Sequence, residues 1–594
     1  MLYLEKLKLE KLKLEKLKNA TSIQEFAPLL DFIPKNLAYL LFKLPAEQKY
    51  QQFTIPKKSG GERKINAPQA KLKLAQRRLA NILNSCVHEI ESNQTPRRQP
   101  LSHGFKKKAK TDSNSKHEYL TLGIHTNAKC HRNKRYVLNL DLADFFPSFN
   151  FGRVRGFFIS NNHFNLHPAI ATIIAQIACH QNELPQGSPC SPIITNLITH
   201  ILDVRLTQQA KKYGCTYSRY ADDITFSTNQ KILPEKIAIP SDKPNQWIVG
   251  SKIEGTIERA GFKINQAKTR LQLRPSRQVV TGLVVNKKVN IKSEYYRYAR
   301  SMCHALFSKG AFFLPGNDTP ASIRQLEGIL SHIQFIKEFG RTDEELFRQK
   351  LIFENAKGKE RPKLDAATEL YSRFLYFCYF VALEKPLIMC EGKTDAIYLK
   401  AAIRQLEKKN NFKFSHAVDF FPFTRRVSKV MRIHDGASAL KSFIEHYAKS
   451  TTFKFETRLH PVIVLLDNDK EAKKVIDLLS KKFTENGIEY DQNKNFAYHV
   501  ISNLYVVLLP KQTETTENKI EDFFYPEVLK KKLKGKTFSA ENGKKFDNQK
   551  HYSKQVLATK IVRPRQDGIN FKKFQPILEL ISQTINKFQN NYAA

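Results

Sequence analysis

The sequence has few cysteines for its length, and it has no long apolar run. Its 594 residues contain 8 cysteines, none of them in a Cys-x-x-Cys pair and none after Cys390. This scatter argues against a zinc site and against a disulfide framework, and it favours a reducing, cytoplasmic environment. The most apolar segment, Leu375–Leu383, is too short to cross a bilayer, and no signal peptide is visible, so we expect no membrane partner.

Acidic residues are also scarce relative to basic ones. The chain has 98 Lys and Arg against 56 Asp and Glu, which gives a net charge of +42. An excess of positive charge on this scale favours a polyanionic partner, and nucleic acid is the leading candidate. A chain of this length is too long for one hydrophobic core, so we expect roughly two to four domains.

Three carboxylates in two segments form the strongest chemical pattern. Tyr220-Ala221-Asp222-Asp223 lies between runs of aromatic and β-branched residues, which predicts a β-hairpin with the acidic pair in its turn. Upstream, the apolar run from Tyr136 predicts a buried strand that ends near Asp141. Adjacent carboxylates repel each other, and a divalent cation is the simplest way to stabilise them. If the strands pair, the three carboxylates suit two Mg²⁺ ions, as in phosphoryl transfer; an ordinary solvated turn is the alternative for the hairpin alone.

A loop rich in Gly and Pro, Leu184–Pro192, lies between these two acidic segments and precedes a helical stretch. The three segments, in this order, resemble the palm of a reverse transcriptase. Asp141 matches the first metal ligand of that family, and Asp222-Asp223 matches its acidic pair. Two further elements, Asn127-Ala128-Lys129-Cys130-His131 and Val280–Asn286, resemble retron reverse transcriptases specifically.

The resemblance implies an α+β right-hand polymerase. Fingers and palm are expected at 21–290 and a helical thumb at 291–383, for which a plain helical linker is the alternative. Thr319-Pro320 predicts the start of one thumb helix. Before them, 1–20 repeats Leu-Glu-Lys-Leu-Lys and predicts a charged, low-complexity extension, with an RNA-binding or partner helix as the alternative. A Lys-rich insertion within 106–126 predicts an exposed loop.

The resemblance also implies site residues beyond the three carboxylates. Residues near the incoming nucleotide and its triphosphate are Arg63, Lys64, Asp144, Phe146, Gln186 and Lys268. Among these, the ring of Phe146 would block a 2'-OH, and Lys268 would assist the leaving pyrophosphate. Residues expected to contact RNA are Asn127, His131, Tyr295, Arg297 and Arg300.

A second acidic pattern begins at Pro386. Pro386–Asp395 predicts a buried strand, a turn and the start of a helix; the plan repeats from His460, and Tyr505–Pro510 is a third apolar strand. Alternating strands and helices predict an α/β domain at 384–594 with a parallel sheet, whose ligands gather at the carboxyl ends of the strands. Three acidic residues fall at those ends: Glu391, Asp467 and Asp469.

A Glu-Gly strand end followed by Asp-x-Asp resembles the TOPRIM domain of topoisomerases, primases and OLD-type nucleases. The resemblance implies that Glu391, Asp467 and Asp469 bind one or two Mg²⁺ ions and act on a nucleic acid. The candidate additional ligands are Asp395, Glu471, Glu521 and Asp522. No tyrosine-bearing cleavage domain is apparent, which favours a nuclease over a topoisomerase. A binding module without turnover is the alternative.

Together these patterns predict a retron-type RNA-directed DNA polymerase fused to a TOPRIM effector. The resemblance implies that dNTPs are used to copy a cognate structured non-coding RNA into a short single-stranded DNA (msDNA), in a role in antiphage defence. Synthesis in that family starts from a 2'-OH of a guanosine in the RNA itself. The alternatives are a group II-like or diversity-generating reverse transcriptase, and a TOPRIM effector whose polymerase part only binds RNA. The intact palm carboxylates argue against the last of these, and self-association is compatible with the sequence.

Overall fold

The computed structural model describes residues 13–57, 60–92, 100–106, 121–242, 246–341, 345, 364–409, 412–482, 496–511, 517–540 and 546–593. These residues form two compact units. The first takes in the described residues of 1–293 and 335–352, and the second takes in those of 294–334 and 353–594. The four segments expected from the sequence, 1–20, 21–290, 291–383 and 384–594, stay predictions, because the two compact units do not test their bounds.

The first unit contains two kinds of β-structure, one larger sheet and several two-stranded pairs. Its strands are β1 (Tyr50–Pro56), β2 (Glu62–Pro68), β3 (Tyr136–Ala143), β4 (Thr216–Tyr220), β5 (Asp223–Thr228), β6 (Ala238–Pro240), β7 (Trp247–Val249), β8 (Lys263–Ile264), β9 (Arg270–Leu273), β10 (Val279–Val280) and β11 (Leu283–Val284). Its helices are α1 (Lys13–Asn19), α2 (Ile23–Leu29), α3 (Pro34–Ala38), α4 (Ala70–Ser92), α5 (Ile124–Cys130), α6 (Phe151–Ser160), α7 (Pro168–Ala178), α8 (Ser191–Lys212) and α9 (Ser251–Arg259).

Strand β3 is the centre of the larger sheet. It pairs antiparallel with β5 along one edge and with β8 and β9 along the other, and β4 pairs with β5. Its side chains at Leu138, Leu140 and Leu142 share one apolar core with α7 and α8. Burial of this face fixes the register, because a shift by one residue would turn these apolar side chains to the opposite face. The sheet therefore holds the end of β3 in a defined place.

The amino-terminal repeat is packed where the structure describes it. Lys13–Asn19 is helical, and Leu17 is buried in the core of the first unit. The backbone N–H of Leu14 donates to Glu89 on α4. This part of the repeat is therefore not a solvated extension; the first twelve residues lie outside the described part of the chain, as does most of the predicted loop, at 107–120.

Two helices follow the first unit's sheet, α10 (Ser293–Lys309) and α11 (Ile323–Phe339). The prediction that α11 begins at Thr319-Pro320 is wrong. Pro320 instead pairs with Phe313 in a β-bridge, and the N–H of Ala321 donates to Phe312. The helix starts after Ser322, whose N–H donates to the side chain of Gln325 at 2.8 Å.

The second unit contains a five-stranded sheet with the spatial order β13-β12-β14-β16-β15. The strands of this unit are β12 (Leu387–Cys390), β13 (Asp419–Phe420), β14 (Val462–Leu466), β15 (Ala497–Ile501), β16 (Leu504–Leu508), β17 (Thr537–Phe538) and β18 (His551–Tyr552). The predicted parallel pairing is present among β13, β12, β14 and β16, while β15 is antiparallel. Every residue of β12, β14 and β16 is buried, as expected of strands covered on both faces.

The described part of the second unit also contains helices. They are α12 (Ala366–Tyr376), α13 (Asp395–Lys409), α14 (Arg425–Met431), α15 (Ala437–Glu445), α16 (Tyr447–Ser450), α17 (Lys470–Lys482), α18 (Pro526–Leu529), α19 (Lys554–Val556), α20 (Arg563–Arg565) and α21 (Gln575–Ala593). Apolar residues of α13 and α21 pack together with β12, β14 and β16. Among the described helices, none has the length and apolar character that a membrane span requires.

Candidate active site

The sheet of the first unit brings the three predicted palm carboxylates to one end of two paired strands. Asp141 near the end of β3 lies directly opposite Asp223 at the start of β5. The N–H of Leu142 donates to the carbonyl of Asp222 at 3.1 Å, which ties the hairpin turn to β3. Ala221 takes a left-handed conformation, with φ of 56°, so that the chain can reverse immediately before the acidic pair.

The three carboxylates lie close together and are partly desolvated, and this raises the pKa values of two of them. Partial desolvation, followed by the nearby charges of Asp222 and Asp141, raises the pKa of Asp223 to about 6. Desolvation also raises the pKa of Asp222. The ammonium of Lys268 contacts both oxygens of Asp141, at 3.0 and 2.9 Å. The structure therefore places Lys268 on a predicted metal ligand, where it offsets one of the three negative charges.

A divalent cation suits this donor set. Hard cations prefer carboxylate oxygens, and mutual repulsion of Asp222 and Asp223 is the condition that a bound cation relieves. As positioned in the described residues, no three His, Cys, Asp or Glu side chains already form a metal-binding group. Lys268 supplies positive charge at Asp141 in this arrangement. The residues that would hold the ions are Asp141, Asp222 and Asp223.

Side chains expected at the nucleotide lie beside the end of β3. Asp144 is exposed and takes a left-handed φ of 46°. Phe146 is half-buried, with its ring 5.6 Å from that of Phe145 and 6.1 Å from that of Phe105. Two aromatic neighbours restrict the Phe146 ring, which is the property that a steric barrier requires.

The predicted basic hairpin of the fingers is present as the β1–β2 pair. Arg63 and Lys64 are exposed on β2. The same strand meets the predicted Gly/Pro loop, since the N–H of Asn66 donates to the carbonyl of Gln186 at 3.0 Å. Gly187 has φ of +118°, and a Cβ there would lie 3.0 Å from the carbonyl oxygen of Asn66. Glycine therefore allows the loop to approach the fingers closely.

Comparisons with known proteins agree with this geometry. Residues 55–298 match the family model "Reverse transcriptase (RNA-dependent DNA polymerase)". The retron Ec73 reverse transcriptase of Escherichia coli is 34% identical over 289 residues, which cover 46% of this chain and 81% of that protein. The retron Ec86 reverse transcriptase of Escherichia coli is 32% identical over 267 residues, covering 44% of this chain and 71% of that protein. This chain belongs to the retron reverse transcriptases.

Some relatives match over a smaller share of their length. The retron Mx65 reverse transcriptase of Myxococcus xanthus is 30% identical over 302 residues, 48% of this chain and 61% of that protein. A telomerase from Candida albicans matches with a TM-score of 0.28 and 11% identity over 55% of this chain and 63% of its own, which is too distant to define a fold. The predicted right-hand polymerase fold is supported by the family match, and that match ends at residue 298.

A buried ion pair supports the β4–β5 hairpin of this retron reverse transcriptase, and the sequence analysis did not predict it. Arg219 is fully buried and makes a bidentate pair with Asp203 on α8, at 2.7 and 2.8 Å. A third nitrogen of Arg219 donates to the carbonyl of Ala221 at 2.8 Å, in the turn before Asp222. The hydroxyl of Tyr217 also donates to Asp203, at 2.7 Å. Arg219 therefore connects the hairpin turn to a long helix.

The same network reaches a segment upstream in the chain, His103-Gly104-Phe105. Asn196 accepts from Arg219 at 3.2 Å and donates to the carbonyl of Gly104 at 2.8 Å. A Cβ at Gly104 would lie 2.7 Å from the backbone nitrogen of Ala221, so only glycine fits against the turn. The one sequence signal for this arrangement is Arg219 itself, the single charged residue in the strand Thr216–Tyr220.

Asn127 and His131, from the segment that resembles retron reverse transcriptases, form hydrogen bonds with the β4–β5 hairpin. Both side chains are fully buried. His131 contacts the hydroxyls of Ser218 and Ser227, each at 2.7 Å, and Asn127 accepts from Ser218 at 2.6 Å. A direct contact of either side chain with RNA would require these hydrogen bonds to break. The structure thus places them beneath the hairpin, where they hold β4 and β5 together.

The other residues expected to contact RNA lie on α10 and are exposed. Tyr295, Arg297 and Arg300 lie on its accessible surface together with Tyr298, which is 55% exposed. The ring of Tyr295 meets His332 edge-on at 6.2 Å. Exposed aromatic rings beside guanidinium groups can stack on bases and contact phosphates.

The second unit holds its own group of carboxylates. Glu391 follows β12 and Asp467 follows β14, and the N–H of Asp467 donates to Glu391 at 3.1 Å. Asp395 accepts from the N–H of Gly392 at 2.7 Å. Burial raises the pKa of Glu391, and burial and neighbouring carboxylates raise the pKa of Asp395 to about 7 and that of Asp467 to about 8. The structure thus places Asp395 with the two predicted ligands.

Glu521 completes this group, which we call the acidic cluster: Glu391, Asp395, Asp467 and Glu521. Glu521 is buried and pairs with Lys554 at 2.9 Å through one oxygen. Its other oxygen has no hydrogen-bond partner among the described residues. Although burial acts in the opposite direction, Glu521 and the other carboxylates raise the pKa of Lys554. An unpartnered buried carboxylate oxygen beside three further carboxyls fits a divalent cation.

Three other predicted ligands have structural partners instead. Asp469 accepts from the N–H groups of Glu471 and Ala472 and so caps α17, close enough to Glu391 to affect its pKa. Glu471 is exposed and pairs with Lys474. Asp522 is exposed and caps the turn that begins at Lys519, at 2.8 Å. The structure does not bring Glu471 or Asp522 to the acidic cluster.

Proposed function

We propose that this chain is an RNA-directed DNA polymerase that copies a structured RNA into DNA. The observation that carries the proposal is the register of β3 against β5, which sets Asp141 opposite Asp223 with Asp222 beside them. The chain spans 61% and 57% of the length of two Myxococcus xanthus retron reverse transcriptases that it resembles, so its activity, substrates and partners are proposed rather than transferred from them. The first test is incorporation of dNTPs on a primed RNA template by the purified chain.

In this proposal each side chain of the palm has a defined task. Asp141, Asp222 and Asp223 would hold two Mg²⁺ ions, which when bound supply charge stabilisation at the attacking and leaving oxygens. Arg63 and Lys64 offer positive charge to a triphosphate from β2. Arg219 holds the turn that carries the acidic pair.

The family suggests the nature of the template. We infer that it is a cognate non-coding RNA, copied into a short single-stranded DNA that stays attached to it, with α10 offering the exposed Tyr295, Arg297 and Arg300 to that RNA. The test is extraction of nucleic acid from cells that express the gene with its flanking DNA. A short DNA that shifts in mobility after ribonuclease treatment supports the proposal; absence of such a DNA with an active polymerase would contradict the retron product.

Phe146→Ala is expected to raise ribonucleotide incorporation. Its ring is held by Phe145 and Phe105 beside the end of β3, and removal of the ring opens space for a 2'-OH. The gain should match a removed clash, about 1–3 kcal/mol of discrimination, which is roughly a 5- to 150-fold change in the dNTP/rNTP ratio. The measurement is single-nucleotide incorporation of each substrate. Phe313→Ala, at an exposed ring, is the control, and an unchanged ratio in Phe146→Ala would contradict the assignment.

For the second unit, we propose a TOPRIM-like, metal-dependent nuclease. A specific observation favours this second function, namely the acidic cluster at the carboxyl ends of β12 and β14 with its unpartnered Glu521 oxygen. One or two Mg²⁺ ions held there would activate water and stabilise charge on a phosphodiester. The test is Mg²⁺-dependent cleavage of end-labelled DNA and RNA by the chain, repeated with Glu391→Gln and Asp467→Asn. A defence role is proposed from the same unit, and it predicts that Glu391→Gln abolishes phage protection in cells.

The stability of the second unit should depend on pH in a defined direction. The pKa values of Asp395 and Asp467 are raised to about 7 and about 8 in the folded chain, so between about pH 4 and pH 8 the folded state binds more protons than the unfolded state. Without divalent cations, its melting temperature should therefore fall as pH rises through this range. Added Mg²⁺ should raise the melting temperature more at pH 8 than at pH 6.

Calorimetry of the full chain measures this effect. Asp467→Asn identifies the transition of the second unit, because it removes the most strongly shifted carboxyl and should flatten the dependence on pH. If the melting temperature of the second unit in the wild-type chain changes with neither pH nor Mg²⁺, the result would contradict a cation site in the acidic cluster.

A further inference from the structure

A lysine-rich turn lies next to the acidic cluster in the second unit. It comprises Lys530, Lys531, Lys532, Lys534 and Lys536, and we call it the lysine turn. Leu533 and Lys536 exchange two backbone hydrogen bonds, at 3.0 and 3.1 Å. Lys534 and Gly535 both have positive φ, of 51° and 78°, which closes the turn. The lysines are therefore displayed on an ordered turn.

Two contacts connect the lysine turn to the acidic cluster. The hydroxyl of Tyr552 on β18 donates to the carbonyl of Lys531 at 2.6 Å. Two residues further along the chain, Lys554 donates to Glu521 at 2.9 Å. β17 begins directly after Lys536 and pairs with β18, which fixes the same arrangement from the other end of the turn. The cationic turn and the buried carboxylates thus both contact the short segment from Tyr552 to Lys554.

Within the described part of the chain, the exposed lysines of this turn carry charges that no carboxylate offsets, unlike two lysines on α17. On α17, Lys474 pairs with Glu471, and Lys470 pairs with Glu517. Among the described residues, Lys530, Lys532 and Lys534 are exposed and have no ion pair. The four carboxylates of the acidic cluster repel a polyanion unless nearby positive charge attracts it. A nucleic-acid backbone carries one negative charge per phosphate, so several lysines on one turn can each contact a phosphate.

We propose that the lysine turn binds the phosphodiester backbone of the nucleic acid that the second unit acts on. The proposal rests on the nuclease function proposed above and adds the surface that recruits the substrate. Lys530, Lys532 and Lys534 neutralise successive phosphates of the nucleic acid. The bound nucleic-acid strand then continues towards the acidic cluster. Recognition is electrostatic, so it is independent of base sequence and weakens with salt.

The first experiment is lysine footprinting on the full chain. The chain is acetylated with and without a single-stranded oligonucleotide, and each lysine is followed by mass spectrometry, which separates this surface from nucleic acid bound elsewhere. Acetylation of Lys530, Lys532 and Lys534 should slow severalfold on addition of the oligonucleotide. The matched controls are Lys385, Lys449 and Lys454, which are exposed and lie in the segments before β12 and β14. Equal rates at both sets, or equal protection by polyglutamate, would overturn the proposal.

The second experiment compares K530Q/K532Q/K534Q with K385Q/K449Q/K454Q in oligonucleotide cleavage. Loss of three phosphate contacts should raise KM by on the order of tenfold, leave kcat unchanged and reduce the slope of log KM against log salt by about 2. An unchanged KM and slope would contradict the surface. If the wild-type chain does not cleave at all, the nuclease function fails while the footprint still decides whether the lysine turn binds nucleic acid.

Discussion

Asp222→Asn and Asp223→Asn should each reduce DNA synthesis by roughly a hundredfold or more without unfolding the chain. A metal ligand in a phosphoryl-transfer site contributes several kcal/mol of charge stabilisation, and each 1.36 kcal/mol is a factor of ten in rate. Both carboxylates have raised pKa values because they are desolvated and repel their neighbours. Loss of one charge therefore relieves repulsion, and the melting temperature of the variants at pH 8 should equal or exceed that of the wild-type chain.

The pH dependence of this stability gain distinguishes it from a general effect of mutation. The gain of Asp223→Asn should shrink below about pH 6, where the native carboxyl is itself protonated. Asp242→Asn, at an exposed carboxylate in the same unit, should change neither synthesis nor stability. A folded Asp223→Asn chain that retains normal synthesis would contradict the palm assignment.

Loss of either partner of the Arg219–Asp203 pair should cost about 3–5 kcal/mol of folding free energy in the first unit. Both side chains are buried, so Arg219→Met or Asp203→Leu leaves an uncompensated charge or an unpaired group in the core. The double variant should be less destabilised than either single one, because no buried charge is left over. Its DNA synthesis should nevertheless stay reduced, since the carbonyl of Ala221 has lost its donor.

The one tryptophan of the chain makes this measurement specific to the first unit. Trp247 lies on β7, so its fluorescence during urea unfolding reports on that unit. Asp31→Asn, which removes an exposed partner of Arg78, is the control and should cost less than about 1 kcal/mol. Full recovery of synthesis in the double variant would show that Arg219 acts only through stability and does not position the acidic pair.

Much of the candidate site in the first unit could be predicted because its signals are local. An acidic pair between β-prone runs, an apolar strand that ends near Asp141 and a Gly/Pro loop each act within a few residues. The same holds for Glu391 and Asp467, which directly follow apolar strands that pair in parallel. In both units, strand ends gather the candidate site residues.

The features that could not be predicted depend on contacts far apart in the chain. Asp203 lies within α8, and nothing in its neighbours indicates that it meets Arg219. Asn127 and His131 were expected at an RNA surface, yet they are buried because Ser218 and Ser227 of the hairpin offer them hydrogen bonds. The start of α11 was misplaced since Pro320 pairs with Phe313, a tertiary contact that overrides its helix-start signal.

The most direct test of the account is primer extension on an RNA template with three forms of the full chain. We predict that the wild-type chain and Glu391→Gln extend the primer at equal rates in Mg²⁺, and that Asp223→Asn does not extend it. That result would assign synthesis to the carboxylates of β3 and β5 and separate it from the acidic cluster. Extension by folded Asp223→Asn at the wild-type rate would contradict this central claim.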